Sequence, residues 1–170
     1  MNLSNLHAKI SAIFPIDGIS IDENNQYIFH SELEIPADKL IEMNELVVLW
    51  RLESEKVVKK QILDQKWSDR LSQGWETPSG WKLGLTVQDV SLLTGAFLLA
   101  KEASNIGVDA PVSIVDLSGQ SHLISLSDFT GIMLAYGQAR SELSGIYAEK
   151  ARAIEDADTI EEVQMVNVTI

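Results

Sequence analysis

The stretch ADKLIEMNELVVLWRLESEKVVKKQILDQKWSDRLS, Ala37 to Ser72, contains neither glycine nor proline. It is rich in Leu, Glu, Lys and Gln, which lose little rotamer freedom in a helix. Pro36 suits a first helical position, and Asp38 falls in the first turn, where negative charge complements the helix dipole. The stretch predicts one long helix, or two helices meeting near Ser54. Its apolar residues are densest at Leu46 to Leu52, then thin to Val57, Val58, Ile62, Leu63, Trp67 and Leu71. At ~1.5 Å per residue, one helix of this length outruns the core of a small globule. Part of it is therefore expected to lie against another domain or another chain.

Working outward, Asn2 to Phe14 carries Leu6, Ile10 and Ile13 at helical spacing, and Pro15 ends that short helix. Asp17-Gly18 opens the alternating Ile19-Ser20-Ile21, and the polar cluster Asp22 to Asn25 leads to Tyr27-Ile28-Phe29, a hairpin. That acidic turn lacks the ligand spacing and closing glutamate of a calcium loop, so it reads as a solvated turn. On the other side, Gly74 to Thr77 and Gly80 to Leu83 flank Pro78-Ser79, a tight hairpin with Trp75 and Trp81 near its ends. The two indoles predict an aromatic cluster closing the core, or else an exposed stacking platform for carbohydrate.

Thr86-Val87-Gln88-Asp89 has the form of a capping box opening a helix through Val90, Leu93, Phe97 and Ala100, ending near Gly107. Pro111 to Val115 and His122 to Leu126 alternate around Asp116-Leu117-Ser118-Gly119, a further hairpin, and Ser127-Asp128 caps the last long helix. That helix has the clearest period in the chain: Phe129, Ile132, Tyr136, Ala139, Leu143, Ile146, Lys150 and Ala153 recur at 3–4 spacing. Sustained 3–4 spacing is the seam of a coiled coil or of a bundle helix. Phe129, Ile132, Tyr136, Leu143 and Ile146 are thus candidate contact residues. Their partner is either the Thr86–Asn105 helix or a second chain. Lys150 breaks the seam, and either sets register or marks its end near Ile146.

The whole is an α+β protein with long helices and two short hairpins in its C-terminal part. It divides into an N-terminal helix and hairpin (1–35), a long connecting helix (36–73) and a compact C-terminal αβ unit (74–170, its last four residues a short β-prone end). With 170 residues, 45% hydrophobic and 22% charged, the chain suffices for one ordinary domain and barely for two small ones. Its net charge of −12 argues against nucleic acid and anionic membrane surfaces as partners, since both select a basic footprint. The acidity is uneven: residues 1–85 carry −4 and residues 86–170 carry −8. The absence of cysteine excludes disulfides and thiolate chemistry. The first residues lack the basic-then-apolar order of an export signal, and no apolar run approaches the ~20 residues of a membrane span.

Chemistry is not expected. His7, His30 and His122 fall in three unrelated elements, none with a second ligand at i+2 or i+4. Neither a phosphate-binding glycine loop nor a Gly-x-Ser-x-Gly elbow occurs. Glu161-Glu162 lies in a charge-rich tail, without the cleft that would shift a carboxyl pKa. The residues therefore predict no catalytic, cofactor or metal site.

Taken in order, Gly80-Trp81-Lys82-Leu83, Thr86 to Asp89, Asp116 to Gly119, Leu126-Ser127-Asp128-Phe129, and the closing Glu149, Ala153-Ile154, Ala157 and Thr159-Ile160-Glu161-Glu162-Val163 resemble a small phage-associated domain of unknown function. That family occurs in tail-fibre and other tail-associated proteins of bacteriophages and prophages. The resemblance covers roughly residues 56–166. It departs at Val87-Gln88-Asp89-Val90, which replaces a basic-polar run, and at Asp116-Leu117-Ser118-Gly119, which replaces a plain Asp-Gly turn. It implies a non-catalytic structural component of a phage tail, a fibre- or baseplate-linked adaptor in the virion, made in the host cytoplasm. Its partners would be other tail proteins or a second copy of the chain. Alternatives are an intracellular tail-fibre assembly chaperone, a carbohydrate-binding fibre module on Trp75 and Trp81, or a tail-borne wall hydrolase for which no motif stands. No residue roles come with the resemblance.

Overall fold

The computed structural model describes residues 3–108 and 111–170. Their elements are α1 (Leu3–Ser11), β1 (Gly18–Ile21), β2 (Tyr27–His30), α2 (Ala37–Ser72), β3 (Trp75–Glu76), β4 (Lys82–Leu83), α3 (Val87–Asn105), β5 (Val112–Val115), β6 (Ser121–Ile124), α4 (Leu126–Glu155) and α5 (Ile160–Met165). The protein is α+β: five helices and three two-stranded antiparallel sheets among the described residues. Of the Asn2–Phe14 helix expected from sequence, Asn2 lies outside the described residues, and the observed helix stops at Ser11.

Helix α2 is one helix. It runs unbroken through Ser54, whose hydroxyl donates back to the Trp50 carbonyl one turn earlier (2.8 Å). The chain forms two compact units, residues 3–60 with Ala153–Val166, and Gln61–Arg152 with Asn167–Ile170. Boundaries at 35/36 and 73/74 are therefore not where the structure divides. The reason is burial: Met43 and Val47 of α2 share a core with Leu6 and Ile10 of α1, so the first part of α2 belongs with the N-terminal helix and hairpin.

In the first unit, that core is completed by Ile16 and by the inward side of the β1–β2 hairpin, Ile19, Tyr27 and Phe29. The Tyr27 and Trp50 rings meet edge to face at 6.3 Å. A smaller cluster joins Leu52 to Ala157 and Val163. Here Thr159 and Glu162 form a capping box for α5, with the Glu162 carboxylate accepting the N–H groups of Asp158 (2.8 Å) and Thr159 (3.1 Å). The charge-rich tail thus carries a capped helix, on which Glu161 and Glu162 stay exposed.

In the second unit, Leu83, Leu85, Leu93, Ile114, Phe129, Ile132 and Tyr136 form the core. The Thr86–Asp89 capping box opens α3 as its spacing predicts. Helix α4 is capped two positions earlier than Ser127-Asp128 suggested. Ser125 is its cap, receiving the Asp128 N–H (3.1 Å) and donating to the Asp128 carboxylate (2.7 Å).

All three hairpins turn in the same way. The first turn residue (Asp22, Thr77 or Asp116) donates its N–H to the carbonyl four residues on, and accepts the N–H of the residue three on. That third residue takes positive φ: Asn25 at 64°, Gly80 at 86° and Gly119 at 84°. In the two aspartate turns the carboxylate accepts two further N–H groups, from Asn24 (2.9 Å) and Gln26 (2.7 Å), and from Ser118 (2.8 Å) and Gln120 (3.0 Å). Yet the hairpins bury opposite sides. Counted from the turn aspartate, odd positions (Ile19, Ile21 and, across the ladder, Tyr27, Phe29) share a side in the first, and Ile19, Tyr27 and Phe29 pack inward. In the last, Val112, Ile114 and Ile124 at even positions pack inward.

Candidate interaction surface

The seam of α4 is core, not surface. Phe129, Ile132 and Tyr136 are 0%, 8% and 2% exposed. Phe129 meets Phe97 of α3 edge to face at 5.5 Å, so the partner of this stripe is the chain's own helix. Leu143 is half-buried against the same core. Ile146 alone of the five stays open, at 40%. Lys150, the polar break, donates to the Asn167 carbonyl at 2.7 Å and so ties down the last residues of this unit. The Tyr136 hydroxyl donates to the Gly84 carbonyl at 2.7 Å, and burial, with the Asp89 carboxylate second, pushes it up to about 12.

Trp75 and Trp81 also face inward. Trp75 pairs with Leu83 across the ladder, and both indoles pack against the core of the second unit. Trp75 meets Tyr136 edge to face at 5.8 Å. Trp81 stacks on the His122 imidazole, centroids 4.4 Å apart and planes 10° from parallel. Both indoles are thus half-buried in the aromatic cluster that closes this core, with one face of Trp81 covered by His122.

His122 and His30 each clasp a hairpin. His122 Nε2 lies 2.8 Å from Asp116 Oδ2, and His30 Nε2 lies 2.7 Å from Ser20 Oγ. A nucleophile, a base and an orienting acid are required together for triad chemistry. Here a serine–histidine pair and a histidine–aspartate pair sit on different hairpins of different units. The Asp116 carboxyl is held well below the usual carboxylate range, first by the Ser118 hydroxyl, then by His122 and the N–H groups of Gln120 and Ser118. A carboxyl lowered by folding stabilises the native state above its unfolded value, roughly 3.9, and that contribution is lost as pH falls below it. Urea midpoints taken from about pH 6 down to about pH 3 are therefore expected to decline, and Asp116→Asn to flatten part of that decline.

Among the apolar groups left outside, two features stand out. On α2, Met43, Val47 and Trp50 face the first unit's core, while Ile41, Val48 and Leu49 on the far side are 61%, 62% and 59% exposed. They surround Asn44 and Glu45. A helix that is apolar on two sides is built to be covered on both. Length flagged this helix as needing external contact, but which residues make it follows from where α1 sits.

The second feature is a groove of about 240 Å3 in the second unit, between α3 (Leu92, Ala96), the end of β4 (Leu83, Gly84) and β5 (Ser113, Ile114, Val115). Sequence reasoning missed it, because its walls come from three elements that only the fold assembles. At its base Gly84 lets the Asp89 carboxylate approach the backbone closely, since a Cβ there would run into it. Among the described residues, no group of three or more His, Asp or Glu side chains is placed to hold a metal ion, and no helix is long and apolar enough to cross a membrane.

Comparison with protein families, with curated proteins and with solved structures finds no match for this chain.

Proposed function

We propose that this chain is a non-catalytic contact protein, an adaptor of a bacteriophage tail that works by presenting helical surfaces to other tail proteins. The tail setting comes from the resemblance of residues 56–166. The observation that carries the contact role is the outer face of α2, where Ile41, Val48 and Leu49 remain exposed on a helix whose other side already has its core. Apolar patches rimmed by polar groups mark sites of association. The net charge of −12 keeps such a component soluble until its partner covers the patch.

Light scattering on the purified chain, alone and mixed with the tail proteins of the same genome, tests this. A stable complex is expected, weakened by more than about tenfold in the Val48→Asp, Leu49→Asp double variant, with helical circular dichroism unchanged. A strictly monomeric chain that takes up none of those proteins overturns the reading.

A further inference from the structure

The groove beside β5 has a backbone wall. The closing bonds of the last hairpin, Asp116 N–H to the Gln120 carbonyl (2.9 Å) and Gly119 N–H to the Asp116 carbonyl (3.0 Å), fix which residues of β5 bond to β6. Hydrogen-bonded and non-hydrogen-bonded pairs alternate along an antiparallel ladder. With Asp116 turned toward β6, Ile114 and Val112 bond inward as well. Ser113 and Val115 therefore turn their N–H and C=O groups the other way, along the free edge. Ser113, Ile114 and Val115 all border the groove, as an edge running along it would.

The next outward group in this series is already taken. Leu117 N–H donates to the Lys82 carbonyl of β4 at 2.9 Å. The chain thus begins to add a strand to the β5 edge, then diverts it at Gly84 toward α3. Beyond that point, Ser113 and Val115 have no backbone partner among the described residues. Between the two strands lies an apolar floor of Leu83, Leu93 and Ile114, which are 1%, 7% and 4% exposed.

We infer that this groove takes a short extended segment of a partner protein, added as a strand to the β5 edge through Ser113 and Val115. Three residues at ~3.3 Å each span the two free positions, with one apolar side chain turned onto the floor. A volume of about 240 Å3 falls below the roughly 300–1,000 Å3 of small-molecule sites but suits such a side chain. A second copy paired through its own β5 edge is the competing occupant, and protection that grows with protein concentration would reveal it. Asp89 is the only charged residue in the lining, so the segment is neutral or basic. This rests on the proposed contact role but not on the α2 face.

The test uses the full chain and a library of basic heptapeptides in which apolar residues and threonine alternate. The amide resonances of Ser113 and Val115 are expected to exchange freely with solvent in the free protein, and to shift and gain protection with the best peptide. Methylating alternate peptide nitrogens, which leaves the protein untouched, should weaken binding by at least about tenfold, as should Val115→Pro. Three results overturn the inference: no peptide moving those amides, methylated peptides binding equally well, or protection that grows with protein concentration alone. If the library fails while the Val48- and Leu49-dependent complex still forms, the strand site falls and the contact role stands. If peptides bind through Ser113 and Val115 while no complex depends on α2, the outer face of α2 is what falls.

Discussion

Phe129→Ala is expected to cost about 3–5 kcal/mol and to lower the melting temperature of the second unit by roughly 10 °C or more. Phe129 is fully buried and central to the cluster of Leu83, Leu85, Leu93, Ile114, Ile132 and Tyr136. Truncation removes the transfer free energy of a whole ring and leaves a void among side chains held on helices and short strands. It also deletes the edge-to-face contact with Phe97, which joins α4 to α3. Calorimetry on the full chain measures this directly. A drop of under about 3 °C would mean that the α4 stripe is not packed within the chain as described.

The second large effect falls on a residue without a side chain. Gly74 follows the end of α2 with φ at 71°, and its carbonyl accepts from Arg70 Nη1 at 2.9 Å. A Cβ at this position would meet the Leu117 side chain and lie 2.6 Å from the Leu83 carbonyl oxygen. Gly74→Ala therefore combines a left-handed backbone penalty of about 1–2 kcal/mol with an overpacking cost of about 1–3 kcal/mol. Gly80 is the control. Its φ is 86°, but nothing lies within 4 Å of an added Cβ, so Gly80→Ala is expected to show the backbone penalty alone. Equal urea midpoints for the two variants would refute the steric part.

Where an element is specified locally, it could be read from sequence. The Thr86–Asp89 capping box and the three hairpins depend on residues within a few positions of one another, whereas the sequence of α2 left open whether it breaks near Ser54. The α4 stripe was legible as a buried face but not as to its neighbour. Periodicity records that Phe129, Ile132 and Tyr136 are covered, and is silent on whether Phe97 or another chain covers them. The same limit applies to Trp75 and Trp81, whose burial depends on Tyr136 and His122 from distant elements. Lys150 looked like a seam defect because its acceptor, the Asn167 carbonyl, lies in the last few residues and not on a facing helix. The β5 groove was invisible, since β4, α3 and β5 come together around it only in the fold.

The shared hairpin turn also separates two kinds of information that are easily confused. Asp22 and Asp116 set where each ribbon folds back, with the same bonds in both places. Which side faces oil and which faces water is written only in the strands. The two loops thus share their closing bonds, although Leu117 of the second also reaches Lys82, whereas exchanging the ribbons themselves would turn each one inside out.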